Sequence, residues 1–113
     1  MVTLLIEAGA DVNAVDDRGM TPLMAATLYE RDRQNLILLL EAGADVNAVF
    51  EDGSTALHSA ATKTPANVFL LLAAGADGTI KTNDGDTPFD LIKDDEEMIG
   101  GAVYLVLQDA SNK

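Results

Sequence analysis

The stretch Ala42-Gly43-Ala44-Asp45-Val46-Asn47-Ala48 decides the fold, because the chain contains it three times. Residues 8–14 repeat it without a change, and residues 74–80 repeat it with a different second half, Gly-Thr-Ile. Gly9 and Gly43 are 34 positions apart, and Gly43 and Gly75 are 32 positions apart. Self-similarity at a period of about 20–50 residues indicates an array of stacked structural repeats.

A second block recurs at the same spacings. Residues 18–26 read RGMTPLMAA, residues 52–61 read DGSTALHSAA, and residues 84–92 read DGDTPFDLI. Together the two blocks resemble the ankyrin repeat, whose pattern is a Gly-x-Thr-Pro-Leu-His-x-Ala-Ala first helix, a leucine-rich second helix and a Gly-Ala-Asp-Val-Asn end. The resemblance covers nearly the whole chain. It implies an all-α solenoid of antiparallel helix pairs joined by β-hairpin-like turns.

The length of 113 residues fits one domain of about three and a half repeats. Within the single domain 1–113 we predict a partial repeat at 1–15, repeats at 16–48 and 49–80, and a C-terminal capping repeat at 81–113. The last unit lacks the leucine run and the Gly-Ala-Asp end. Such divergence is expected of a cap, one face of which meets solvent instead of another repeat.

Helix starts are predicted at the pairs Thr21-Pro22, Thr64-Pro65 and Thr87-Pro88, because a threonine hydroxyl can cap a helix and proline is tolerated at the first helical position. Gly43 and Gly75 are placed to end helices in the left-handed conformation. The predicted helices are Pro22–Leu28, 56–62, 65–74, Pro88–Lys93 and 102–108. A further helix, which begins at Asp32, is predicted to contain residues 36–40.

The first residues read as the second helix of a repeat whose first half is missing. Val2, Leu4, Leu5 and Ile6 would then form an apolar patch at the end of the array. An exposed patch of this kind usually marks an interface. We therefore expect either self-association through this half-repeat or a longer array from which the chain was cut.

The composition excludes several classes of function. Nineteen acidic residues against seven basic ones give a net charge of −12, which argues against binding to nucleic acid or to an anionic membrane. A neutral to basic protein partner is compatible with this charge, although acidity can also serve solubility alone. The chain has no cysteine, hence no disulfide. No transmembrane run or signal peptide is recognisable, which favours a cytoplasmic location.

The titratable residues do not form a recognisable catalytic or metal site. His58 is the only histidine, so a triad or a zinc site is not expected. The resemblance implies instead that His58 bridges backbone groups of adjacent turns, and that Asp11, Asp45 and Asp77 hold their turns. Residues 83–86 read NDGD, but a calcium loop would need an acid at Ile80. We predict no enzymatic activity, no cofactor and no metal.

The positions that vary between the copies are the candidate binding residues. The resemblance implies binding through the hairpin tips and the concave face of the first helices. Met20, Leu28, Tyr29 and Phe50 are apolar there, as in interface hot spots; alternatively, Met20 and Phe50 pack on each other. The residues assigned to partner binding are Arg18, Met20, Leu28, Tyr29, Phe50, Glu51, Ser54, Lys63, Asn83 and Asp86.

The predicted function is therefore non-enzymatic protein binding. Two alternatives remain at this stage. The repeats could be a fragment or a regulatory portion of a longer multi-repeat or enzyme-linked protein, or they could serve only as a structural spacer, for which apolar residues at the tips would be unnecessary.

Overall fold

A computed structural model describes residues 13–27, 33–95 and 97–112. It contains helices α1 (Pro22–Thr27), α2 (Arg33–Glu41), α3 (Ala56–Lys63), α4 (Val68–Ala73) and α5 (Ala102–Ser111), and a 3₁₀ turn over Pro65–Asn67 that leads into α4. No strand occurs in these ranges, which confirms the predicted all-α solenoid. Residues 1–12 of the N-terminal half-repeat, Leu28, Tyr29 and Asp32 lie outside the described residues, and so do the predictions made for them.

The first helices pack side by side, α1 against α3, while α2 folds back onto α1 and α4 folds back onto α3. Leu23, Leu36, Leu57 and Leu71 are at most 1% exposed and form the centre of one continuous core. In the leucine-rich run, Leu36 and Leu39 are fully buried, while residues 37, 38 and 40 are half-buried. This pattern fits a helix covered on more than one side by neighbouring repeats.

The helix starts differ between repeats. At α1 the Thr21 hydroxyl accepts a hydrogen bond from the Met24 amide at 3.2 Å, as predicted for a cap. The prediction that Thr64 caps the next second helix is wrong. Its hydroxyl donates instead to the carbonyl of Thr27 in the preceding repeat, at 2.7 Å. Both threonines are buried, so the terminal carbonyl of α1 has no access to water and needs this partner.

Helices α2 and α4 end in the same way, at Gly43 and Gly75. Both glycines have positive φ, +92° and +98°, which only glycine adopts without strain. The following amides, of Ala44 and Ala76, donate back to the carbonyls of Leu39 and Leu71 at 3.0 and 2.9 Å. These bonds satisfy carbonyls at the helix ends and turn the chain towards the next hairpin.

Asparagine side chains connect the ends of successive repeats. The amide of Asn13 accepts from the Asp45 backbone N–H at 2.6 Å and donates to the Gly43 carbonyl at 3.4 Å. One repeat later, Asn47 makes the same pair of bonds, to Asp77 and Gly75, at 2.7 and 3.2 Å. Thr79 stands at the next equivalent position and bonds only within its own turn, to Asp77. The series therefore ends where no further copy of the Gly-Ala-Asp end follows.

The fourth unit does not contain the predicted helix Pro88–Lys93. Its backbone makes successive tight turns, with the amides of Ile92 and Asp95 donating three residues back, each at 3.0 Å. The Asp95 carboxylate takes the Glu97 amide at 3.0 Å, and Gly100 has φ +82°. Aspartate and glycine stabilise turns in these ways and weaken a helix.

Helix α5 then closes this end of the described array. Leu107 is 1% exposed, and the ring of Tyr104 packs edge-on against Phe89 with centroids 5.0 Å apart. Gly78 lies under the helix, where a Cβ atom would stand 2.6 Å from the Cβ of Ala110. This contact gives a physical reason for glycine at the position where an earlier copy of the repeated stretch has Val46.

Candidate functional site

Three hairpin turns project from the repeats, at residues 16–20, 50–54 and 82–86. In each, the first amide donates to the last carbonyl: Asp16 to Met20 at 3.1 Å, Phe50 to Ser54 at 2.8 Å, and Thr82 to Asp86 at 2.9 Å. A polar side chain inside each turn takes further backbone amides, as the Asp16 carboxylate does from Arg18 and Met20. Different residues thus produce the same turn geometry in all three copies.

The hairpins are fixed to one another by backbone contacts. The Glu51 amide donates to the Arg18 carbonyl at 2.9 Å, and the Asn83 amide donates to the Asp52 carbonyl at 2.8 Å. The side chain of Asn83 adds a bond to the Glu51 carbonyl at 3.1 Å. At Gly53 the next hairpin approaches so closely that a Cβ would stand 2.7 Å from the Asn83 nitrogen. The hairpins consequently form one ordered row.

The turn carboxylates are held in their charged form. Hydrogen bonds from the amides of Met20 and Arg18 lower the pKa of Asp16 below its usual range. The hydroxyl and amide of Ser54 lower the pKa of Asp52. Asp77 and Asp90 show lowered pKa values as well, through bonds from Thr79 and from the Thr87 amide. The acidic character of this surface therefore persists at mildly acidic pH.

His58 is buried and bridges two repeats. Its Nδ1 accepts from the Thr55 amide at 3.0 Å, and its Nε2 lies 2.9 Å from the carbonyl of Asp86. A backbone amide can only donate and a carbonyl can only accept, so the ring is neutral with its proton on Nε2. Burial lowers the pKa of His58, and this favours the same neutral form. The contacts agree with the bridging role implied by the resemblance.

The structure places the assigned binding residues in different environments. Arg18, Glu51, Lys63 and Asn83 are exposed, and the charged groups of Arg18 and Glu51 are 4.0 Å apart. Ser54 and Asp86 are half-buried, and Ser54 donates its hydroxyl to the Asp52 carboxylate at 2.5 Å. The side chains of Arg18 and Glu51 are 71% and 56% exposed, so their charges remain accessible to a partner. An exposed ion pair of this kind contributes little to stability.

Met20 and Phe50 are less exposed than the sequence analysis expected. Both are half-buried and pack against the hydrophobic core, which is closer to the packing alternative than to free hot spots. The apolar side chains that face solvent next to the hairpins are Val15 and Val49, each one residue before a hairpin and 61% and 49% exposed. They lie one repeat apart.

Sequence analysis missed Leu91, which is 41% exposed beside α3. It occupies the place in its block that Ala25 and Ser59 occupy in the two earlier blocks. The residue at this position is small in those blocks, so a comparison of the blocks would have shown Leu91 as an unusually large apolar residue. Asp90, one position earlier, matches His58: its carboxylate accepts from the Thr87 amide at 2.9 Å, just as His58 accepts from Thr55.

Two classes of site find no support in the described part of the chain. It holds no group of three or more His, Cys, Asp or Glu side chains arranged to bind a metal ion. None of its helices is long and apolar enough to cross a membrane.

Comparison with known proteins identifies the family. No curated protein matches the sequence. A family model described as ankyrin repeats matches residues 1–89 in three copies, which is most of the chain. The repeat spacing, the stacked helix pairs and the row of hairpins agree with that match, and the chain therefore belongs to the ankyrin-repeat family.

Proposed function

We propose that this domain binds a protein partner through its hairpin row and the adjoining face of its first helices, without catalysing a reaction. Ankyrin repeats are generally protein–protein interaction modules and are typically non-enzymatic. One observation supports the proposal most directly. Backbone hydrogen bonds between neighbouring hairpins, at 2.9 and 2.8 Å, hold the hairpin side chains that differ between the repeats in a fixed row.

A fixed row favours binding because ordering costs are met when the domain folds and not when the partner arrives. Val49 supplies exposed apolar surface, while Arg18 and Glu51 supply accessible charges. The net charge of −12 favours a partner that is neutral to basic. The division into repeats 16–48 and 49–80 and a cap at 81–113 stays a prediction. Under this division, each of these three units contributes one hairpin to the proposed binding surface.

The test is affinity capture followed by mass spectrometry with paired variants. Val49→Asp and Glu51→Lys alter the hairpin row together. Phe69→Asp and Glu41→Lys make the same kinds of change on exposed positions of the second helices α4 and α2. We expect proteins retained by the unaltered domain and by the second-helix variant to be lost with the hairpin variant.

Equal retention by both double variants would contradict a binding role for the hairpin row. Circular dichroism of each variant controls for folding, because all four positions are exposed and should tolerate substitution.

A further inference from the structure

Two adjoining clefts cross the surface between the third and fourth units. The first, of about 280 Å³, is lined by Asp52, Asp84 and Asp86 among others. The second, of about 420 Å³, is lined by Pro65, Met98, Asp95 and Glu97 among others. Thr62 and Leu91 line both clefts, so the two form one surface groove. We call it the acidic groove.

The middle of the acidic groove is apolar. Leu91 is 41% exposed and lies where the clefts meet. Met98 and Pro65 are half-buried in the second cleft, with Ala61 buried beside them. An exposed leucine flanked by partly covered apolar side chains offers an anchoring point for one apolar side chain of a partner.

Both ends of the groove carry negative charge. Asp52, Asp84 and Asp86 stand at one end and Asp95 and Glu97 at the other, and the lining residues that the structure describes include no lysine or arginine. Lys93 is close in sequence, but its ammonium group lies 3.7 Å from the Asp90 carboxylate. Concave surfaces lined by one sign of charge concentrate that field and attract opposite charges.

We propose that the acidic groove docks a short segment of the protein partner, in which an apolar side chain is flanked on both sides by lysine or arginine. The apolar side chain contacts Leu91 and Met98, and the flanking cations face the carboxylates at the two ends. Acidic segments are repelled by the same groove. This inference rests on the proposed binding function and specifies the chemistry of the partner.

Selection of random linear peptides displayed on phage tests this chemistry without a known partner. We expect the selected peptides to share an apolar position with lysine or arginine on both sides. A synthetic peptide of the selected sequence is then titrated against variants by fluorescence anisotropy. Leu91→Asp, and separately the double variant Asp95→Lys with Glu97→Lys, should each weaken binding by about tenfold or more.

Matched controls separate the groove from general effects. Leu105→Asp changes an exposed leucine, 54% accessible, that does not line the groove. Asp109→Lys with Glu41→Lys changes the net charge as much as the double variant does, at exposed positions outside the groove and the hairpins. Both controls should bind the peptide within about twofold of the unaltered domain. If Leu91→Asp fails to fold, the exposed double variant still provides the test.

Several results would overturn the proposal. These are a library that yields no binder, selected peptides without basic residues, and binding that the groove variants do not weaken more than the controls. None of them bears on proteins captured through the hairpin row, so the groove can fail while the proposed binding function stands. The proposed function is contradicted by a different result, which is equal retention of captured proteins by the hairpin variant and the second-helix variant.

Discussion

At the scale of single residues, the polar groups of the repeat serve mainly to satisfy backbone atoms. His58 shows this clearly, because both ring nitrogens contact main-chain groups, one in its own turn and one in the next hairpin. Asp90 accepts the equivalent amide in the fourth unit with a carboxylate. A carboxylate can replace the acceptor function of Nδ1, but it cannot donate to a carbonyl as Nε2 of His58 does.

Replacing His58 by alanine should lower the free energy of unfolding by about 1–3 kcal/mol, because a buried amide and carbonyl lose their partner. The loss should also depend on pH. The pKa of His58 is lowered on folding, so the unfolded chain takes up the proton first as pH falls below about 6.5. The stabilisation by His58 is complete above that pH and declines below it. Urea unfolding of both proteins between neutral and acidic pH measures the difference.

Subtracting the free energy of unfolding of the His58→Ala variant from that of the unaltered domain at each pH removes the contribution of the carboxylates. Lowered pKa values at Asp16, Asp52, Asp77 and Asp90 also cause stability to fall in acid, but at lower pH and in both proteins. A difference between the two proteins that stays constant from pH 7 to below about 5 would be inconsistent with a buried neutral imidazole.

At the scale of elements, sequence predicted what each repeat encodes within itself and missed what depends on its neighbours. The helix ends at Gly43 and Gly75 follow from local backbone chemistry and were predicted. The role of Thr64 was not, because its hydroxyl bonds a carbonyl 37 positions earlier in the chain. Residues 88–93 form turns and not the predicted helix, because aspartate-rich turns compete with the Thr-Pro helix start. The Thr-Pro motif alone does not show which of the two prevails.

The same distinction applies to the candidate binding surface. The repeat pattern indicates that the hairpins carry side chains that differ between copies, and the binding role assigned to them stays a prediction. It could not predict that Met20 and Phe50 turn towards the core while Val15 and Val49 face solvent, since that depends on how adjacent hairpins stack. Leu91 belonged to a segment predicted as an ordinary first helix.

The docking of α5 depends on a single small residue. Gly78→Ala places a Cβ atom against Ala110, 2.6 Å from its Cβ and 3.1 Å from its backbone carbon, so the helix must shift. Overpacking of this kind typically costs about 1–3 kcal/mol. We expect faster hydrogen exchange of the amides of residues 102–111, measured by mass spectrometry, with little change in α2.

Gly101→Ala is the matched control. Gly101 also has negative φ, −77°, and an added Cβ there would meet only the Met98 carbonyl, at 3.3 Å. Because alanine is a poorer N-cap than glycine, it should raise exchange in the first turn of α5, but less than Gly78→Ala raises it across residues 102–111. Equal exchange in the two variants would mean that glycine at position 78 is not required for packing of the last helix.

At the scale of the whole molecule, the shape and the charge act against each other. A stack of helix pairs, 43 Å along its longest axis, is stabilised by contacts between neighbours, while a net charge of −12 is spread over its whole length. Two ion pairs join described residues, Arg18–Glu51 and Lys93–Asp90, and each of the four side chains is at least 28% exposed. Repulsion between carboxylates therefore exceeds the attraction that such pairs supply.

Added salt should accordingly stabilise the domain, because screening weakens the repulsion more than it weakens two exposed ion pairs. We expect the Tm to rise when sodium chloride is raised from about 0.02 M to about 0.5 M, because the screening length falls from about 20 Å to about 4 Å over this range. The double variant Asp95→Lys with Glu97→Lys changes the net charge by +2 at each site, from −12 to −8. Its Tm should respond less to salt, since less repulsion remains to be screened. Thermal unfolding followed by circular dichroism measures both responses, and a fall in Tm with salt would show that attractive pairs outweigh repulsion in this fold.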